Sequence, residues 1–321
     1  MTESLIPPED LAIAFCIEGT PIEEQALLLS ESIRRFAGAY AGVPIVAVNP
    51  RAEFPISRSA ERALEKLGVR YVSLPLNRTA SPYLPINRIV TGSWAEANLE
   101  AAYVMLLDSD MLFVREPAFR RAGAGVRPVD AKGSASSGDD DAIDPYWREM
   151  CEIGGVAVER LPFLETSVDG SRIRASYNGG FCIVRRSLGI LEETGRIFSE
   201  SRARDMRPLR DRDVAIVAST GPVGREASEW WGSSQAALSV AIAARAPDVR
   251  IYDPTYNVPV HLLLEANESV RSDAVDPVLI HYHWLLAPER RSSFERILSV
   301  LQTRGEFAAW LGERLDERAR Q

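Results

Sequence analysis

The chain has 321 residues, 46% of them hydrophobic and 26% charged, which is enough apolar material for one large α/β domain or two small ones. Its 37 Lys and Arg against 45 Asp and Glu leave a net charge of −8, which argues against a nucleic-acid binder working through a basic stripe. No segment reaches the run of about eighteen apolar residues of a membrane span; residues 1–10 lack the basic start and apolar run of a signal peptide; and the widely spaced Cys16, Cys151 and Cys182 read as free thiols of a reduced, cytoplasmic protein.

Leu11-Ala-Ile-Ala-Phe-Cys-Ile17 is apolar without alternation, as in a strand covered on both faces. The breakers Glu18-Gly19-Thr20-Pro21 end it. Residues 23–40 place Ala26, Leu27, Leu29, Ile33 and Phe36 broadly on one helical face. A second strand over 43–48, a helix over 59–67 stopped by Gly68 and a third strand over 69–74 follow. This alternation predicts a mostly parallel sheet with helices on both faces.

A loop over 82–85 and a helix over 86–100 lead into residues 102–114, where an apolar run ends in Asp108-Ser109-Asp110. Residues two apart in an extended chain share a face, so both carboxylates project from the end of a buried strand. Two hard oxygen donors so placed suit Mg²⁺ or Mn²⁺, which can in turn hold phosphate. The same residues also suit a turn that caps the strand. Ligands gather at the carboxyl ends of strands in open α/β sheets, and Glu18-Gly19-Thr20 falls at another such end. That convergence favours the metal reading.

Residues 124–129 read as a further strand. The segment 130–142 is of low complexity, and with little to bury it is expected to be flexible, as a surface insertion or a lid. Residues 145–151 and 155–164 show weaker periodicity. Asn178-Gly179-Gly180 then precede an apolar run to Val184; paired glycines permit a positive φ or a close approach to a ligand, or form a tight turn. Residues 188–201 should be helical, and 202–212 form a basic connector. Residues 213–219 are apolar and are broken by Gly221-Pro222. Glu229-Trp230-Trp231 stands before a helix to about Arg245, capped by Ser233 or Ser234. The tryptophans suit a core, the preferred reading, or a sugar ring.

Near the C-terminus His281 and His283, two of the three histidines, end an apolar strand as an i, i+2 pair. A histidine there is ordinarily structural. An imidazole with two carboxylates, however, suits Mn²⁺ better than Mg²⁺ or Ca²⁺. Ser292-Ser-Phe-Glu295 is a capping box that opens a final helix with Phe294, Ile297, Leu298 and Leu301. Phe307, Trp310, Leu311 and Leu315 continue the spacing after Gly305, either packing back on the domain or forming a homodimer.

Together these stretches resemble the GT-A class of nucleotide-sugar glycosyltransferases, in particular the family of glycogenin and the bacterial lipopolysaccharide galactosyl- and glucosyltransferases. The resemblance covers roughly residues 11–285 and rests on Glu18-Gly19-Thr20, Asn87-Arg88, Leu107-Asp-Ser-Asp-Met111, Asn178-Gly-Gly-Phe181, Glu229 through Gln235, and Ile280-His281-Tyr282. It implies a single Rossmann-like GT-A domain over 1–288 with a helical extension over 289–321. It implies Mn²⁺ or Mg²⁺ held by Asp108, Asp110 and His281, and a UDP-sugar donor held by Glu18, Gly19, Thr20, Arg88, Ser109, Asn178, Gly179 and Gly180. Gln235 and Glu229 would form the reacting face toward the hydroxyl of a carbohydrate or other acceptor. Retention would place Gln235 near the anomeric carbon, whereas inversion would need a base, with Glu229 the candidate.

Two departures stand out. The family's Lys-Pro-Trp lysine is missing where His283-Trp284-Leu-Leu-Ala-Pro288 stands, leaving Arg290 or Arg88 to meet the diphosphate. The acidic-to-Gln spacing is also stretched by Trp-Trp-Gly. Two alternatives remain. A nucleotidyltransferase would carry a basic Gly-rich loop after the first strand, which is acidic here; the other is an inactive transferase-like interaction module.

Overall fold

The computed structural model describes residues 4–263, 276–286 and 305–319, with Ser292, Glu295 and Leu298 besides. Leu11–Cys16 (β1), Ile45–Asn49 (β2), Val69–Ser73 (β3) and Tyr103–Leu107 (β4) form a parallel set in the order β3-β2-β1-β4. Met111–Phe113 (β5) leaves this sheet. Ala124–Pro128 (β6), Tyr177–Arg185 (β7) and Val249–Ile251 (β8) complete seven strands in the order β8-β6-β7-β4-β1-β2-β3. Only β7 runs antiparallel to its neighbours.

The twofold alternation of strand side chains divides the core between the two faces of the sheet. On one face Leu11, Ile13 and Phe15 meet Ala26, Leu29 and Ile33 of Ile22–Phe36 (α1). The helix Arg58–Lys66 (α2) links β2 to β3 and is capped by the Ser57 side chain. On the other face Ala12 and Ala14 join a core with Ile86–Asn98 (α3), Asp144–Gly154 (α4), Ile190–Ala203 (α5) and Ser233–Arg245 (α6). The mixed α/β fold with helices on both faces is the one expected.

Val258–Pro259 (β9) and Leu279–His281 (β10) form a second, small sheet with β5 in the order β9-β10-β5. In it His281 stands opposite Met111. Asp108-Ser109-Asp110 is therefore the crossing between the two sheets.

The last described helix, Glu306–Ala319 (α7), packs back on the domain. Phe307, Trp310, Leu311 and Leu315 share a core with Leu28, Leu112 and Ile280. Phe36 of α1 meets the Phe307 and Trp310 rings edge-on, at 5.3 Å each. Trp310 Nε1 donates to Glu31 at 3.1 Å. Among the described residues, the apolar face of α7 is thus covered by the chain itself, and nothing there supports the expected homodimer. The expected positions Phe294, Ile297 and Leu301, and Arg290, lie outside the described residues.

Other local expectations are corrected. Asn178-Gly179-Gly180 lies inside β7, not in a turn, and neither glycine has a positive φ. Gly232, at φ 86°, caps α6 in place of a serine. A side chain there would also strike Ser134 Oγ. Within the segment 130–142 Lys132 pairs with Asp141 at 2.7 Å; outside it, Arg174 bridges Asp139 and Asp144 at 2.6 and 2.7 Å, and Trp147 Nε1 donates to the Ser134 carbonyl at 2.9 Å.

Candidate active site

At the carboxyl ends of β1 and β4 the two sheets part around a cavity of about 670 Å³. Arg88 reaches it from the first turn of α3. Its Nη1 donates to both oxygens of Asp108, at 2.9 and 2.8 Å, and its Nη2 to Ser234 Oγ at 3.1 Å. Ser234 also accepts from the Tyr83 hydroxyl at 3.0 Å. The neighbouring β7 strand makes room for this clamp. A Cβ on Gly179 would collide with the Arg88 guanidinium, and one on Gly180 would come to 2.7 Å from Asp108 Oδ2. The paired glycines thus admit protein side chains.

Asp110 is buried beside β10, with His281 Nε2 3.1 Å from its Oδ1 and 4.0 Å from Asp108 Oδ2. Burial pushes the Asp110 carboxyl up, but the attraction and hydrogen bond of His281 outweigh it and hold it well below the ordinary range. Burial likewise disfavours charge on His281, yet Asp110, Asp108 and Asp130 together hold its pKa above the usual value. His283 lies past the end of β10, in a short 3₁₀ turn, with its ring stacked on His281 at 3.9 Å. His261 packs on His283 at 3.7 Å. Burial lowers both, His261 to about 3, so these imidazoles stay neutral. All three histidines of the chain meet here.

Of the residues expected at the site, Glu18, Arg88, Asp108, Ser109, Asp110, Asn178, Gln235 and His281 line this cavity. Glu18 is held by Arg51 through two contacts of 2.6 Å and by Asn87 at 2.9 Å. Ser109 donates to Gln25 at 3.1 Å. Gly19 and Thr20 stand outside the lining, and Thr20 is exposed and bonded to Glu23. Gly179 and Gly180 lie behind Arg88 and Asp108. Glu229 is also outside; Arg207 at 2.8 Å holds its carboxyl below the usual range. The tryptophans divide, Trp230 entering the core and Trp231 lining the cavity.

Sequence reasoning passed over Asp130, His261 and Lys132, which also line the cavity. Asp130 accepts from Ser167 at 3.0 Å and Asn178 at 3.2 Å, and burial lifts its carboxyl above the ordinary range against the pull of His281. Its place at the start of a low-complexity segment hid it. His261 carried one signal, its scarcity among residue types.

The fold is shared with the bifunctional glycosyltransferase WbbM, at a TM-score of 0.53 and 12% identity over 98% of this chain. The present chain spans about half, 52%, of that one. LgtC, a galactosyltransferase solved with donor and acceptor sugar analogues, aligns at a TM-score of 0.45 and 14% identity over 94% of this chain and 99% of that one. No curated protein matches the sequence. The family model of the Rhodobacterales glycosyltransferase domain matches residues 13–219, from within β1 to the segment that lines the cavity beyond α5. A match over that much of the fold, taking in Arg88, the Asp108–Asp110 crossing and β7, makes the chain a member of the Rhodobacterales glycosyltransferase domain family, and a glycosyltransferase.

Proposed function

We propose that this enzyme moves a sugar from a nucleotide-diphosphate sugar, with UDP as the nucleotide, to a hydroxyl of a carbohydrate or other acceptor, using a divalent cation and retaining the anomeric configuration. The observation that carries the reading is the meeting of Arg88, Asp108, Asp110, His281 and Gln235 on one cavity. The residues also suit a cation: a buried carboxylate faces imidazoles, and the buried Nδ1 atoms of His261, His281 and His283 have no hydrogen-bond partner among the described residues. Mn²⁺ or Mg²⁺, when bound, would neutralise charge on the departing nucleoside diphosphate.

The chain's own groups do the rest. Arg88, locked by Asp108 and Ser234, presents a fixed positive charge at the same end of the cavity. It fills the role of the family's missing lysine. Asn178 accepts from Gly180 N at 2.9 Å and donates to Asp130, so it fixes that carboxylate at the cavity wall. Gln235, on the first turn of α6, offers an amide to the reacting face. Inversion would need a base on the acceptor hydroxyl, and Glu229 is bound to Arg207 outside the cavity. Retention needs no such base. The catalytic domain is taken as 1–288, and three free thiols suit a cytoplasmic setting.

Asp110→Ala should lower turnover about 10³-fold, the scale of several kcal/mol of lost charge stabilisation. Full activity in that variant would end the cation reading. The anomeric coupling of the product, read by proton NMR against the donor, tests retention separately.

A further inference from the structure

The cavity has two kinds of wall, and the function proposed above uses only the charged one, where Arg88, Asp108, Asp110 and His281 gather. Tyr83 joins the two. Its hydroxyl donates at 3.0 Å to Ser234, which also accepts from Arg88, and its ring packs edge-on with Trp231 at 6.3 Å. Trp231 shares the other wall with Leu84 and with a hairpin whose two-residue strands, Val217–Ala218 and Gly221–Pro222, pair antiparallel.

The hairpin departs from the rest of a chain in which 26% of residues are charged. Residues 214–224, Val-Ala-Ile-Val-Ala-Ser-Thr-Gly-Pro-Val-Gly, carry no charge, and none of them is buried. Charges resume on either side, at Arg212-Asp213 and at Arg225-Glu226. Seven large apolar side chains are exposed among the described residues, and three belong to this region. Leu84 and Val217, on the cavity wall, are 40% and 44% exposed, and Val214 opens the same stretch. Single exposed apolar residues are ordinary, but a set of them on one cavity marks a ligand surface. Ile216 and Val223 hold the hairpin in place by packing against the core, and Val223 N donates to the Ile216 carbonyl at 2.9 Å.

The chemistry of this wall narrows what it takes. The nucleotide-sugar needs the charged groups, whereas the acceptor must bring a hydroxyl to Gln235, which follows Trp231 closely in the chain. A sugar ring carries hydroxyls around its rim, and valine, proline and leucine side chains would leave them without partners. An alkyl chain forfeits no hydrogen bond there and gains by leaving water.

We propose that the acceptor is an amphiphile: its hydroxyl-bearing head is glycosylated beside Gln235, while an alkyl chain attached to that head lies on Leu84, Val217 and Trp231. This deepens the glycosyl-transfer reading above and rests on it. The acceptor oxygen bonds to the anomeric carbon as the bond from that carbon to the diphosphate oxygen breaks, and the hydroxyl proton leaves with the nucleoside diphosphate. The groove is continuous with the donor cavity, which favours the acceptor over a membrane surface or a second copy of the chain.

The test is calorimetric titration of the full chain, with UDP and Mn²⁺ present, by octyl and by methyl β-D-glucopyranoside below the micelle-forming concentration of the octyl compound. Both carry the same head, so the comparison isolates the alkyl chain. The octyl glycoside should bind at least about tenfold tighter, a factor that burial of about two methylenes supplies. Val217→Asp changes an exposed side chain and keeps the fold; it should bring the octyl compound to within about threefold of the methyl one. Leu84→Ser should weaken the octyl compound at least about threefold from a different segment. Equal affinity of the wild type for the two glycosides, or octyl binding unchanged in both variants, would overturn the proposal. So would co-sedimentation with phosphatidylcholine vesicles that Val217→Asp abolishes, which makes the occupant a membrane, or a dimer that this substitution dissociates. A wild-type chain whose Tm does not move with UDP and Mn²⁺ would instead sink the underlying donor reading.

Discussion

Two acidic side chains that look equivalent in sequence are given different work by their neighbours. Asp108 accepts both of its short contacts from Arg88, while Asp110 is left to His281. The same separation applies to Glu229 and Gln235. One carboxylate is tied to Arg207 away from the cavity; the amide, six residues on, lines it. Glu229→Gln should therefore keep kcat within about threefold, and Gln235→Ala should lower kcat about 10–100-fold with a smaller change in KM for the donor, as for a group acting mainly on the transition state. Steady-state kinetics of both variants decide it. The reverse order would restore Glu229 as a reacting group.

At the scale of elements, the apolar strands β1 to β4 and the helices between them were legible because continuous burial leaves continuous apolar runs. β8 and β9 were not, being three and two residues long. Nor was the reversal of β7, because a strand buried on both faces reads alike in either direction. Helix α5 depends on a contact distant in sequence that no local pattern could reveal. Glu96 of α3, almost fully buried, accepts the Ile190 and Glu192 N–H groups at 2.9 and 2.8 Å. These satisfy donors at the start of α5.

Burial pushes the Glu96 carboxyl from 4.5 up to about 7, against the pull of those N–H groups. The folded state thus holds its proton more tightly than the unfolded one. The resulting stability is fully present below about pH 4.5 and is lost as the pH rises through 7. Glu96→Gln should flatten the fall in stability between pH 5 and 8 by on the order of 2 kcal/mol. Denaturant titrations at the two pH values measure it, and equal slopes in both proteins would refute the assignment.

For the whole molecule, the position of the site follows from the joining of two sheets. β4 delivers Asp108 at its carboxyl end, the chain crosses to β5, and β10 returns antiparallel to bring His281 opposite the crossing. The aspartates and the strand-end rule pointed to this place from sequence alone. The third histidine and Asp130 did not emerge, because each depends on residues that meet only in the fold. Among the described residues no helix is long and apolar enough to cross a membrane. The central claim is that this cavity holds a nucleotide-sugar through a cation at Asp110. It is tested most directly by thermal shift of the full chain against UDP-, GDP- and ADP-sugars, with Mn²⁺ and with EDTA. The account predicts that UDP-sugars raise Tm only with Mn²⁺ and that Asp110→Ala loses the shift. A shift that survives both EDTA and that substitution, or none with any donor, would contradict it.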